Sequence, residues 1–239
     1  MDARIFANID QLSSAALDGL LAIVQESVAQ RGRFAIALSG GHTPAKLYTL
    51  WAQAERAGRR TPWDRVHLFW GDERFVPFDD PLSNYRMTHE ALIAHVPIPA
   101  TNVHPAPTGL AFPEAAAQAY ESELRKFFGA APPAFDLQLL GLGPEGHTAS
   151  LFPNSPALEE KQRWVMAVKA PARPPDRLTF TPAVLNLGQN TFFLVAGTDK
   201  RGIVSALRKE PDAGQSSYPA ARIRPSGPVI WFLDAEASG

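Results

Sequence analysis

The sequence predicts an α/β fold: an open, mostly parallel, Rossmann-like sheet with helices on both faces. Three observations carry that expectation. Apolar runs of strand length, Phe34–Leu38, Val66–Trp70, Leu137–Leu140 and residues 191–196, recur with amphipathic helical stretches between them, and strands alternating with helices pair in parallel. The runs at 34–38, 137–140 and 191–196 are nearly continuous in apolar character, as in strands covered on both faces. Several runs end in glycine, histidine or charged residues, and open sheets of this kind bind ligands outside the carboxyl ends of their strands.

Composition bounds the rest. The 239 residues are 45% hydrophobic, enough for one substantial core, so a single domain over 1–239 is expected. A formal net charge of −1 gives no electrostatic reason for nucleic acid or an anionic membrane as partner, which leaves a small molecule. The chain has no cysteine, which excludes disulfides, thiolate nucleophiles and thiolate-bound metals. Its first ten residues hold two acids and no apolar core, unlike a secretory signal, so a soluble cytoplasmic protein is expected.

In order, residues 10–31 carry Leu17, Leu20, Leu21, Val24 and Val28 at helical spacing, with Asp10 as cap and Gly32 as stop. The strand at 34–38 breaks at Ser39-Gly-Gly-His-Thr-Pro44 before a helix through Leu47, Leu50 and Trp51. At that join Thr43 suits a cap, Pro44 the first helical turn, and two glycines let backbone N–H groups approach an anion. A phosphate cradle and an ordinary strand-to-helix turn both fit that local pattern. Strand 66–70 opens into Gly71-Asp-Glu-Arg-Phe-Val-Pro77, and a helix is expected over 84–95. Prolines 97, 99, 105 and 107 predict an irregular surface connection. Further helices are expected at 113–128 and 201–209, a short one from Thr181-Pro182 to Asn186, further strands at 164–168 and 229–233, and a polar loop or short helix at 218–224.

Asp136-Leu-Gln-Leu-Leu-Gly-Leu-Gly-Pro-Glu-Gly-His-Thr-Ala-Ser-Leu-Phe-Pro153 organises the chain. A buried strand stops at a glycine turn that presents His147, a good catalytic candidate. Gly141-Leu-Gly-Pro-Glu-Gly146 also satisfies G-x-G-x-x-G, but the helix and the acidic strand end that a dinucleotide site needs are missing: Pro153 and Pro156 interrupt the helix space, and the next strand ends in Lys169. His67, His89, His95 and His104 make no metal-binding spacing, and no metal is expected.

Together the motifs at 39–44, 71–77 with Ser83-Asn84, and 141–153 resemble 6-phosphogluconolactonases of the glucosamine-6-phosphate isomerase/6-phosphogluconolactonase family, in order and spacing over nearly the whole chain. The segments Pro175-Asp-Arg-Leu-Thr179 and Gly197-Thr-Asp-Lys200 are similar to that family as well. The resemblance implies a glucosamine-6-phosphate deaminase-like fold and hydrolysis of 6-phospho-D-glucono-1,5-lactone to 6-phospho-D-gluconate, in the oxidative pentose phosphate pathway, without a cofactor. It implies His147 as general base. An imidazole titrating near neutrality can take a proton from water and return it to the leaving oxygen. Arg74 or the glycine-loop N–H groups would stabilise the oxyanion, with an Arg74 ion pair to Asp72 or Glu73 as the structural alternative. Ser39, Gly40, Gly41, Thr43, Arg177 and Lys200 would hold the phosphate and Asn84 the sugar hydroxyls, with Asp72, Gly143 and Gly146 completing the binding set. The partner would be a sugar phosphate lactone, and the protein a monomer or weak homo-oligomer.

Two positions depart from the family pattern: Glu145 stands where Asp is usual, and His42 where Ser is common. Two rivals share the architecture. A glucosamine-6-phosphate deaminase would carry a further Glu after the histidine, whereas Thr148-Ala-Ser-Leu-Phe-Pro153 has none. A sugar-phosphate sensor of the transcription-regulator type would need a DNA-binding unit, and this near-neutral chain is expected to lack one.

Overall fold

The chain opens with a strand that its composition hides. In the computed structural model, which describes residues 1–129, 131–210 and 216–239, β1 (Asp2–Phe6) pairs in parallel with the last strand of the sheet. As an edge strand it buries little, so its apolar signal is weak. Helix α1 (Ile9–Arg31) follows; its cap is Asn8, whose side chain accepts from the Gln11 N–H at 3.0 Å, and not Asp10, which is already helical. Gly32 ends it, donating its N–H to the Val28 carbonyl.

Strand β2 (Phe34–Leu38), buried at every position, leads into α2 (His42–Arg56). Then come β3 (Val66–Trp70), β4 (Asp72–Arg74), α3 (Asn84–Ala91), β5 (Val103–His104), α4 (Pro113–Phe128) and β6 (Leu137–Leu140). The chain finishes with β7 (Val165–Lys169), β8 (Asp176–Phe180), α5 (Pro182–Leu185), β9 (Thr191–Val195), α6 (Arg201–Lys209), β10 (Val229–Asp234) and α7 (Ala235–Ser238).

Seven strands form one parallel sheet in the order β1-β10-β9-β6-β2-β3-β5. Successive residues of β2 serve opposite faces, as pleating requires. Phe34, Ile36 and Leu38 join Leu20, Val24, Leu47 and Trp51 of α1 and α2; Ala35 and Ala37 join Tyr120 and Leu124 of α4 and Ile203 and Val204 of α6. Each fully buried Leu or Phe in these layers contributes about 2 kcal/mol. Helix α1 is long and apolar enough to span a bilayer by length and composition alone, but its Leu12, Ala16, Leu20 and Val24 are fully buried in the first layer, which makes it a core helix.

Beyond β1 and the α1 cap, the structure departs from expectation in three further places. The strand expected at 164–168 belongs to a second, antiparallel sheet of order β4-β8-β7, which shares the α4 face. Gly71 is the crossing point: its N–H donates to Leu38 of the main sheet while its carbonyl accepts from Phe180 of the small one. The proline-rich connection contains β5, two residues that extend the main sheet beyond β3. The helix expected over 84–95 stops at Ala91, and residues 93–95 continue as a 3-10 turn.

From β2 the chain runs outward through β3 and β5 on one side, while β6, β9 and β10 fill the other. The order therefore reverses between β2 and β6, and ligands of open α/β sheets bind in the crevice outside that point.

Candidate active site

A cavity of about 290 Å³ opens at this crevice, near the lower limit of small-molecule sites. It is lined by ten of the residues singled out from sequence: Ser39, Gly40, Gly41, Asp72, Arg74, Asn84, Gly143, His147, Arg177 and Lys200. Three larger cavities, of about 830, 610 and 430 Å³, lie elsewhere, but none gathers the end of β2, the β4 charges and the histidine loop. Thr43 and Gly146 do not line the site. Thr43 is the second residue of α2 and makes no cap, because the helix starts earlier, at His42, with Gly41 in the cap position. Gly146 turns instead toward Tyr218 and Ile203. His42 is exposed at the first turn of α2.

The histidine loop is closed by two main-chain bonds, Gly143 N–H to the His147 carbonyl at 2.9 Å and Gly146 N–H to the Gly143 carbonyl at 3.0 Å. Thr148 ties it back to the strand end through its hydroxyl on the Gly141 carbonyl at 2.8 Å. The imidazole lies against Gly143 so closely that a Cβ there would sit 1.9 Å from Nδ1, and Phe152 packs on the ring at 4.4 Å. Nδ1 stands 3.1 Å from Oε2 of Glu145, at ion-pair distance without hydrogen-bond alignment, and neither atom has a hydrogen-bond partner. The longer side chain at 145 therefore reaches the ring. Burial opposes the charged form of Glu145, but its own backbone N–H, His147 and Lys200 outweigh it and hold the carboxyl below its usual range.

Opposite the histidine, β4 sends Asp72 and Arg74 toward the cavity, and Arg177 of β8 lies directly across from Arg74. Arg74 forms no ion pair with Asp72 or Glu73. Its Nη1 donates to the Leu82 carbonyl at 2.7 Å, and its buried Nε has no partner. Arg177 is 8% exposed and donates through Nε to the Pro174 carbonyl. Burial and the neighbouring Arg74 lower its pKa while Asp72 and Glu73 act against them, and an arginine stays charged regardless. Lys200 reaches the site from the loop after β9 and is paired at 2.9 Å with Asp199. Three cations thus line the cavity with one carboxylate, Asp72, a balance suited to an anionic ligand.

Several contacts that hold this geometry are not visible in the motifs themselves. Ser150, fully buried, donates its hydroxyl to Asp72 at 2.8 Å and so joins the histidine loop to β4. Tyr48, kept neutral because burial raises its pKa far above the ordinary phenol value, accepts from Ser39 N–H and donates to the Ser39 carbonyl. Asn84 donates to the Asp72 carbonyl at 2.9 Å and presses on Gly40, where a Cβ would lie 1.9 Å from its Oδ1. Their partners lie 9 to 78 positions away in sequence, so the pairing shows only in the folded chain. His67 and His104 lie apart from the site, 3.2 Å from each other, with His104 on Glu123.

A family model described as glucosamine-6-phosphate isomerases/6-phosphogluconolactonase matches residues 7–231. A 6-phosphogluconolactonase from Synechocystis sp. is 45% identical over 217 residues, covering 90% of this chain and 87% of that protein. The solved 6-phosphogluconolactonase of Trypanosoma brucei superposes with a TM-score of 0.83 at 31% identity, over 99% of this chain and 97% of that one. A solved monomeric glucosamine-6-phosphate deaminase reaches a TM-score of 0.84 at 19% identity, over 100% and 99% of the two chains; that likeness is one of fold.

Proposed function

The chain belongs to the glucosamine-6-phosphate isomerase/6-phosphogluconolactonase family, and from that membership we propose how its residues divide the work of a lactonase. The reaction is hydrolysis of 6-phospho-D-glucono-1,5-lactone to 6-phospho-D-gluconate. High identity to named lactonases, against fold-level likeness to a deaminase, favours it over isomerisation. The single observation that carries the assignment of roles is the convergence of His147, Arg74, Arg177 and Lys200 on one cavity beside the head of α2.

Glu145 beside Nδ1 favours the imidazole tautomer with its proton on that nitrogen, which leaves Nε2 as the acceptor. His147 then takes a proton from water as the water oxygen bonds to the lactone carbonyl carbon. The carbonyl oxygen becomes an oxyanion, for which Arg74 has an unpartnered donor in Nε. Gly143 is a poorer donor because its N–H is already committed to the His147 carbonyl. When the carbon–ring oxygen bond breaks, the imidazolium returns the proton to the departing oxygen and the product acid ionises.

The phosphate belongs at the head of α2. No side chain caps that helix, and its first N–H groups and dipole favour an anion. Lys200 and Arg177 supply charge, and Ser39, Gly40 and Gly41 form the wall. Asn84 and Asp72 face the sugar hydroxyls. On this reading the enzyme works on a small cytoplasmic metabolite. The test is acid release from freshly generated 6-phosphogluconolactone and from unphosphorylated gluconolactone, each corrected for spontaneous hydrolysis. Acceleration confined largely to the phosphorylated lactone is expected; equal acceleration of both would remove the phosphate role from α2, Lys200 and Arg177.

A further inference from the structure

Between Asp72 and Arg74, both on the cavity, strand alternation turns Glu73 to the other side of β4. It is 1% exposed and forms no ion pair among the described residues. A carboxylate placed there is costly unless its oxygens are filled, and donors from two elements fill them. Oε1 accepts from the main-chain N–H of Arg74 at 2.8 Å and of Asn84 at 2.7 Å. Oε2 accepts from the Tyr85 N–H at 2.7 Å and more weakly from the Ser83 hydroxyl at 3.4 Å. Asn84 and Tyr85 are the first residues of α3, so the carboxylate also neutralises the positive end of that helix.

We propose that Glu73 is a positioning residue for the hydrolysis: without touching substrate, it fixes Arg74 relative to Asn84 by holding both main-chain N–H groups on one oxygen. The proposal rests on the reading that those two side chains serve the lactone. They lie ten positions apart on separate elements, and the loop between them is exposed at Pro77, Phe78 and Leu82. Two other ties span the gap, Arg74 Nη1 to the Leu82 carbonyl and the Asn84 side-chain amide to the Asp72 carbonyl, but neither holds the two main-chain N–H groups together. Neither a glutamine nor a protonated carboxyl can replace the anion fully, because each brings a hydrogen where main-chain donors already converge.

Burial pushes the Glu73 carboxyl up to about 7, with Asp72 adding to the rise and the N–H groups of Asn84, Tyr85 and Arg74 opposing it. The other charged or titratable groups acting on it are Arg177 from β8 and the Tyr120 phenol from α4. The carboxyl therefore takes up a proton as pH falls through neutrality, and the tie weakens with it.

The experiment is kcat/KM of the full-length enzyme between pH 5 and 8.5 for wild type, Glu73→Gln and Glu73→Asp, with thermal unfolding of each. In wild type, log kcat/KM falls toward low pH with a one-proton contribution from Glu73. In Glu73→Gln that contribution disappears, so the low-pH slope is shallower than in wild type by one proton, and kcat/KM at pH 8 drops about 10- to 100-fold, the scale of a misplacement near 1 Å. Glu73→Asp lies between. A folded Glu73→Gln with wild-type kcat/KM overturns the proposal; should that variant not fold, a folded Glu73→Asp with wild-type kcat/KM overturns it equally. Absence of any lactonase activity in wild type is the separate failure of the functional reading, and the proposal falls with it.

Discussion

Replacing Gly143 by alanine tests whether the placement of His147 matters more than its presence. The added Cβ would stand 1.9 Å from Nδ1 and 2.0 Å from Cε1, whereas ordinary contact begins at 3.4 Å, so the ring must move by about 1.5 Å. It has little room, with Phe152 packed at 4.4 Å and Glu145 at 3.1 Å. Gly143 itself does not adopt a positive φ, so alanine is strained there by this one contact. A shift of that size costs about 10²-fold in kcat, while overpacking costs about 1–3 kcal/mol of stability, equivalent to roughly 2–12 °C in Tm for a protein of this size. Steady-state lactone hydrolysis and a thermal melt measure the two separately. Gly202→Ala on α6, where a Cβ meets nothing within 4 Å, is the control and retains wild-type rates. A folded Gly143→Ala enzyme with wild-type kcat would refute the argument that the glycine exists to admit the ring.

Other expectations follow from the same contacts. Lys200→Ala raises KM for the phosphorylated lactone about 10- to 100-fold, the worth of a charge-assisted bond of roughly 1.5–3 kcal/mol, and leaves the unphosphorylated lactone unaffected; equal losses on both would contradict the phosphate role. Asp136 is 5% exposed, accepts from the buried Ala35 N–H at 2.7 Å and pairs with Arg31 at 2.5 Å; Asp136→Ala should cost about 2–4 kcal/mol in urea unfolding, and a loss below 1 kcal/mol would show the bonds to be replaceable. Burial, with His104 and Arg33, lowers the pKa of His67 to about 4. A depressed histidine contributes stability that is present above its unfolded value near 6.5 and lost as pH falls through about 4, about 1–2 kcal/mol after discounting for partial exposure. His67→Gln should therefore lose less stability than wild type between pH 7 and pH 4, and parallel melting curves would argue against it.

The two-faced sheet was legible because its central strands are apolar without interruption and glycines or charges mark their ends. What escaped was set by surroundings the sequence does not display. β1 is an edge strand with charges at Asp2 and Arg4, and its signal is the alternation of an exposed strand, too short to separate from a loop. β4 begins one residue after β3, so a turn and a change of sheet look alike until β8 arrives a hundred residues later. Thr43 and Pro44 fit a cap and a first turn by type, yet the helix starts at His42 and leaves its head to an uncapped Gly41. The charged motifs pointed to the right crevice because each follows a strand end. The residues that brace them, Glu73, Ser150 and Tyr48, act through partners that only the folded chain brings near.

The central claim is that His147 is the base. It is tested most directly by comparing wild type with His147→Ala for the rate of acid release from freshly generated 6-phosphogluconolactone at pH 7, with 6-phosphogluconate binding measured alongside. General acid–base catalysis contributes about 10²–10⁴-fold, so the account predicts a loss of that size with product binding nearly unchanged. A folded His147→Ala protein that hydrolyses the lactone at the wild-type rate would contradict it.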